Sequence, residues 1–102
     1  GAKGGIGGTP NYNCRELVGI IEAWNNGDIE TAREKQNFSQ AVINVICHFR
    51  GNIVGGKRIM KFLGFDLGPN RTPFRNMTDE EEAQMRRELE EIGFFERCNV
   101  CK

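Results

Sequence analysis

The chain has 102 residues, with 14 basic and 14 acidic side chains, and 38% of its residues are hydrophobic. This length allows one small domain, and the balanced charge gives no bulk attraction to nucleic acid or to an anionic membrane. Uninterrupted apolar runs are only a few residues long, whereas a membrane-spanning helix needs roughly 20, and no secretory pattern opens the chain. We therefore expect a cytoplasmic protein with no membrane and no nucleic-acid partner.

The first segment, residues 1–12, is rich in glycine and contains Pro10. Both residue types disfavour a helix interior, so we predict an extended segment or a loop that passes close to another group. Helical spacing of apolar residues begins after Asn13, which forms a capping-box pattern with Glu16. The first helix is predicted over 14–26, and the remaining chain, 13–102, is predicted to be helical.

Three further helices are predicted in the rest of the chain. Asp28 is the expected N-cap of a second helix over 29–50, and the short connection at Gly27 predicts an antiparallel hairpin with the first. A third helix is predicted over 54–63, and Thr78 with Glu81 forms a capping box for a fourth over 79–92. The apolar residues that follow helical spacing, and are expected to pack inward, are Leu17, Ile20, Ile21, Trp24, Phe38, Ala41, Val42, Val45, Ile46, Phe49, Ile59, Met60, Leu63, Met85, Leu89 and Ile92.

The cysteines are Cys14, Cys47, Cys98 and Cys101. Because the helices supply a core without disulfides, we expect reduced thiols, with Cys14 and Cys47 packed between helices and the other two at the terminus. A zinc site would need four ligands, and adjacent Cys47 and His48 point in different directions from a helix. We therefore expect no metal.

Charge is segregated along the chain although it sums to zero. Positions 50–75 hold six basic residues and one acidic residue, and positions 76–96 hold eight acidic and two basic residues. One interpretation is a nucleic-acid patch; the other is that the last helix packs over the third and the two charged surfaces attract each other. The second is favoured because no binding motif or array of stacking aromatic residues accompanies the basic run.

Residues able to carry covalent chemistry are few. His48 stands beside no nucleophile motif, and Lys3 lies in a segment that offers no desolvated pocket to activate its amine. From its residues alone the chain is therefore not expected to be an enzyme, and no cofactor is expected.

Four segments together resemble one enzyme family. GAKGGIGGT at 1–9 resembles the last barrel strand of the N-acetylneuraminate lyase and dihydrodipicolinate synthase superfamily, and GDIETAREKQ at 27–36 resembles the hairpin and long helix that follow it. KRIMK at 57–61 with GFDLGPNR at 64–71 resembles the third tail helix and its proline connector, and 78–92 resembles the final helix. The resemblance implies a mainly α, four-helix C-terminal segment, comprising the eighth strand and the following helices, of a (β/α)8 TIM barrel whose barrel is absent from this chain.

Members of this superfamily are class I aldolases, which form a Schiff base between a barrel lysine and pyruvate with help from a tyrosine. Both groups lie on earlier strands and Lys3 does not match the lysine, so no catalytic residue is expected here. The resemblance implies a C-terminal fragment of an aldolase that cleaves sialic acid or a related keto acid to pyruvate and an aldehyde, inactive alone. A dihydrodipicolinate synthase-type fragment and a stand-alone helical oligomerisation module are the alternatives.

The resemblance assigns two substrate-binding positions, Ile6 and Gly8. Ile6 matches a residue whose backbone lies near the pyruvate moiety, and Gly8 matches a serine that contacts the substrate's polyol chain in sialic acid lyases. Glycine lacks that hydroxyl, and Pro10 replaces a tyrosine. Since helices cut from a barrel leave an apolar face uncovered, we expect a homo-oligomer, with residues 1–12 disordered or paired with another chain.

Overall fold

A computed structural model describes residues 1–99, and within them the chain is mainly helical and has no β-strand. The helices are α1 (Pro10–Asn25), α2 (Ile29–His48), α3 (Lys57–Phe62), α4 (Asp79–Glu91) and α5 (Phe94–Arg97), and a π-helical turn over Asn52–Gly56 leads into α3. The prediction of a mainly α chain is confirmed. The predicted role of Cys101 lies outside the described residues.

Helix α1 begins at Pro10, three residues before the predicted cap at Asn13. Proline is tolerated at the first position of a helix because its missing N–H would have no partner there. Asn13 lies inside the helix at a break in its geometry, with φ −128° and ψ 21°. The predicted capping box of Asn13 and Glu16 is therefore wrong, and Glu16 instead accepts hydrogen bonds from Lys35 and Arg97.

The next helices follow the sequence signals more closely. Asp28 caps α2 by accepting a hydrogen bond of 3.0 Å from the backbone N–H of Thr31. Gly27 has a positive φ of 76°, which suits the tight connection, and α1 and α2 pack against each other. Thr78 and Glu81 form both hydrogen bonds of the predicted capping box at the start of α4.

The core lies where α2, the π-helical turn and α3 to α5 meet the start of α1. Its buried residues are Tyr12, Phe38, Val42, Val45, Ile46, Phe49, Val54, Ile59, Met77, Met85, Leu89, Phe94 and Cys98. The inward orientation predicted for the α1 stripe is wrong at Ile21 and Trp24, which are 61% and 64% exposed. The side of α1 that faces α2 buries Ala23 and Glu16 instead.

Acidic residues at the start of α4 pair with the basic run that precedes it. Glu82 lies 2.8 Å from a guanidinium nitrogen of Arg58 and 3.2 Å from Lys61 Nζ, and Glu81 pairs with Arg50. This pairing confirms the interpretation that the two oppositely charged segments attract each other. The absence of a nucleic-acid partner stays a prediction.

The cysteines differ from the sequence expectation. Cys14 and Cys47 are exposed, so their predicted packing between helices is wrong, whereas Cys98 is buried. Among residues 1–99 no three His, Cys, Asp or Glu side chains are grouped closely enough to hold a metal ion. No helix in the same range combines the length and the apolar character that crossing a bilayer requires.

Candidate functional site

Two distant parts of the chain meet beside Gly8. The first turn of α1 supplies Tyr12, and the π-helical turn supplies Asn52. The Tyr12 hydroxyl donates a hydrogen bond of 2.6 Å to Asn52 Oδ1. This bond aims Asn52 Nδ2 at Gly8, where an added Cβ atom would overlap the amide nitrogen. The space that a larger residue at position 8 would need is thus taken by the carboxamide of Asn52.

A second glycine borders the same carboxamide from the other side. A Cβ atom at Gly56 would lie 2.7 Å from Asn52 Oδ1, closer than real side chains pack, and in a tight contact of 3.3 Å with Cε1 of Tyr12. Gly8 and Gly56 therefore let the amide sit directly against backbone on both sides. We name Gly8, Tyr12, Asn52 and Gly56 the amide cluster.

Tyr12 is almost completely buried, with 1% of its surface exposed. Burial raises its pKa to about 12, against a smaller lowering by a side-chain hydrogen bond with Thr9. The hydroxyl is therefore protonated at neutral pH and acts as a donor to Asn52 rather than as a base. Its ring packs edge-on against Phe94, with the ring centres 6.4 Å apart.

The amide cluster borders an open cavity of about 250 Å³. The cavity is lined by Gly8, Asn11, Tyr12, Asn52, Ile53, Gly56, Lys57, Met60 and Leu67. Amide and ammonium donors on an otherwise apolar wall suit a ligand with polar substituents on a carbon chain. Lys57 Nζ also donates a hydrogen bond of 2.8 Å to the carbonyl of Pro69, which ties the connector to this wall.

Of the two positions that the resemblance assigned, only Gly8 belongs to this cluster. Ile6 is fully exposed, and Lys3 lies exposed in the same segment before α1. Tyr12 and Asn52 were not predicted from the sequence. The Gly55-Gly56 pair was the one available signal, because adjacent glycines inside a helical region indicate a close approach of another group.

Residues 1–92 match the Dihydrodipicolinate synthetase family, and the chain belongs to that family. It is 34% identical over 86 residues to N-acetylneuraminate lyase from Rhizobium meliloti, and this alignment covers 84% of the present chain and 28% of the relative. It is 29% identical over 99 residues to 4-hydroxy-tetrahydrodipicolinate synthase from Thermoanaerobacter sp., and this alignment covers 97% of the present chain and 33% of the relative.

A solved structure, Proteus mirabilis N-acetylneuraminate lyase, superposes on 84% of this chain with a TM-score of 0.76 and 29% sequence identity, and 29% of that chain is covered. The present chain thus spans about one third of the length of the relatives that it matches. Its described residues, 1–99, have the fold of a mainly α C-terminal segment of a (β/α)8-barrel family, without the barrel itself.

Proposed function

We propose that this chain is the C-terminal part of an N-acetylneuraminate lyase-type Schiff-base aldolase, which cleaves sialic acid or a related keto acid to pyruvate and an aldehyde. The observation that carries this proposal is the superposition of its helices on Proteus mirabilis N-acetylneuraminate lyase with a TM-score of 0.76. The family membership of residues 1–92 supports it independently. A cytoplasmic location stays a prediction.

In this proposal the chain provides one wall of the substrate pocket and no catalytic group. The backbone near Ile6 approaches the pyruvate moiety, and Gly8 lies near the substituted tail of the substrate. Where sialic acid lyases carry a serine, this chain places Asn52 Nδ2 against Gly8. An amide N–H therefore takes the place of the hydroxyl as hydrogen-bond donor to the substrate's tail.

Among the described residues, 1–99, the two groups closest in kind to a Schiff-base site, Lys3 and Tyr12, do not supply that chemistry on their own. Lys3 is exposed and so lies outside any desolvated pocket of the kind that activates a Schiff-base lysine. The Tyr12 hydroxyl donates its hydrogen bond to Asn52, and its raised pKa keeps it protonated at neutral pH, so no phenolate is available to accept a proton. We therefore propose that the chain is inactive alone and depends on groups of the barrel.

Two alternatives have specific support. Similarity to a 4-hydroxy-tetrahydrodipicolinate synthase at 29% identity favours a synthase-type parent enzyme. The exposed apolar residues of α1, Ile21 and Trp24, favour a stand-alone helical module that self-associates.

The test is trapping of the Schiff base with pyruvate and borohydride, followed by mass spectrometry of the protein. We expect no pyruvate adduct on the 102-residue chain. A longer protein that contains this chain together with a preceding barrel should form the adduct. An adduct at Lys3 in the short chain would refute the proposed inactivity. A longer coding sequence without a barrel, or a barrel that forms no adduct, would favour the helical module instead. Pyruvate release from sialic acid then separates the lyase from the synthase alternative.

A further inference from the structure

Helix α1 contains a break at Asn13, where the backbone leaves regular helical geometry. In a regular helix each carbonyl accepts a hydrogen bond from the N–H four residues later. Asn13, with φ −128° and ψ 21°, interrupts this pattern within the first turns. Tyr12 directly precedes the break, so a residue that bonds the backbone here also fixes the position of the tyrosine.

Asn99, which follows α5 and is 84 residues from Arg15, makes three hydrogen bonds to the broken turn. Its side-chain amide donates to the carbonyl of Pro10 at 2.9 Å, and its backbone N–H donates to the carbonyl of Tyr12 at 3.1 Å. Its side-chain oxygen accepts from the backbone N–H of Arg15 at 3.0 Å. One residue thus bonds backbone groups on both sides of the break.

Asn99 is itself held in place by α5. Phe94 is fully buried and packs on Tyr12, and Arg97 stacks over Phe38 with its guanidinium carbon 3.9 Å from the ring centre. Arg97 also donates hydrogen bonds to Glu16 and Glu34 at 2.5 and 2.6 Å. These contacts anchor the last described residues to α1 and α2.

We propose that Asn99 is a positioning residue for the pocket wall at Gly8. Asn99 bridges the break in α1 and so fixes the backbone of Tyr12. The Tyr12 hydroxyl then orients the carboxamide of Asn52. The carboxamide in turn places its N–H beside Gly8. The expected effect on substrate binding rests on the proposed function, whereas the positioning of Tyr12 and Asn52 does not.

Tyr12 provides a direct readout because the chain contains a single tyrosine. Ultraviolet titration of the phenol should give a pKa of about 12 in the unmodified chain. In Asn99→Ala we expect this pKa to fall toward the ordinary value of 10.0, because loosening the turn admits water to the ring. Circular dichroism at each pH separates this change from unfolding, and the Asn52 amide resonances in an NMR spectrum at neutral pH should shift in the same variant.

The matched control is Asn37→Ala, which removes the side chain of an exposed asparagine on α2. It should leave the Tyr12 titration and the Asn52 resonances unchanged. Asn99→Asp keeps the acceptor for Arg15 but loses the donor to Pro10, so an intermediate pKa is expected. If Asn99→Ala titrates like the unmodified chain and the Asn52 resonances stay in place, the positioning role is refuted.

In the longer protein, Asn99→Ala should raise KM for the substrate roughly five- to tenfold, the effect of about one hydrogen bond, with little change in kcat or in trapping of the Schiff base. An unchanged KM alongside a shifted Tyr12 titration would refute the link to substrate and keep the structural part. If the longer protein forms no Schiff base at all, the proposed function fails, while the Tyr12 titration still decides the positioning role.

Discussion

Because Gly8 has no side chain, the amide nitrogen of Asn52 can lie against it at the wall of the neighbouring cavity. The amide nitrogen of Asn52 occupies the place of a Cβ atom there, so Gly8→Ser should push the Asn52 side chain away and break its bond with Tyr12. We expect a loss of about 0.5–1.5 kcal/mol in the free energy of unfolding, the net worth of one hydrogen bond, measured by urea denaturation.

Gly7→Ser is the matched control, because a Cβ atom at Gly7 meets only Pro10 Cδ at 3.9 Å, an ordinary contact. It should change stability little. In an Asn52→Ala background the effect of Gly8→Ser should largely vanish, since the conflicting group is gone. Equal losses for Gly7→Ser and Gly8→Ser in the unmodified chain would contradict this account.

The amide cluster also shows where sequence reasoning stops at the scale of single residues. Gly8 was reached through the resemblance of its segment to a known family. Tyr12 and Asn52 are 40 residues apart in the sequence. An asparagine directly after Gly51 is a pattern typical of a turn, so it does not indicate a site residue. Only the packing of the π-helical turn against α1 brings them together. The Gly55-Gly56 pair indicates that some group approaches closely there, but it does not identify Tyr12 or Asn52.

At the scale of elements, helix starts that depend on local hydrogen bonds were predictable and those that depend on distant residues were not. The caps at Asp28 and Thr78 each satisfy a backbone N–H three residues later, so their signal lies within one turn. Helix α1 instead begins at Pro10 with backbone bonds to Gly8 and Thr9. The spacing of Asn13 and Glu16 resembled a cap, but Asn13 marks a break that the distant Asn99 bridges. Helix α5 has four residues, too few for any apolar period.

Attachment of α5 should depend on pH through Glu16 and Glu34. Burial raises the pKa of Glu16, but hydrogen bonds from Arg97 and Lys35 outweigh it, so the net shift is below the usual 4.5. The Arg97 hydrogen bond likewise lowers the pKa of Glu34. A carboxyl group with a lowered pKa in the folded state stabilises the fold above its unfolded pKa, and that stability is lost as the pH falls through the folded value.

We therefore expect Tm to be level from pH 7 to about 5 and to fall below the unfolded pKa of 4.5. In Arg97→Met the part of this decrease that comes from the Arg97 bonds to Glu16 and Glu34 should disappear, whereas the part that Lys35 contributes at Glu16 should remain. Tm at pH 7 should already be lower. Arg87→Met is the control, because the Arg87 guanidinium donates to the uncharged Gln84. If both variants retain the full acid dependence, the Arg97 contacts do not link α5 to pH.

At the scale of the whole molecule, the mainly α class was predictable because each long helix carries its own apolar period. What periodicity could not show is which face of α1 is covered within this chain. Val18, Ile21 and Trp24 recur every three residues on α1 and are 45%, 61% and 64% exposed. Trp24 also lines a mostly apolar cavity of about 390 Å³ between α1 and α2, together with Ile20, Ile29, Ala32, Arg33 and Gln36. The chain therefore presents an uncovered apolar surface, which we name the α1 face.

We expect the isolated chain to self-associate through the α1 face, because burying these side chains removes apolar area from water. Trp24 is the only tryptophan, so its fluorescence emission should shift to shorter wavelength as protein concentration rises, in parallel with an increasing sedimentation coefficient. Ile21→Glu leaves the reporter intact and should return the chain to a monomer across the same range. Asn44→Glu adds the same charge at an exposed polar position of α2, outside the α1 face, and should still associate. A chain that sediments as a monomer at all concentrations, with constant Trp24 emission, would show that the α1 face does not bind a second copy.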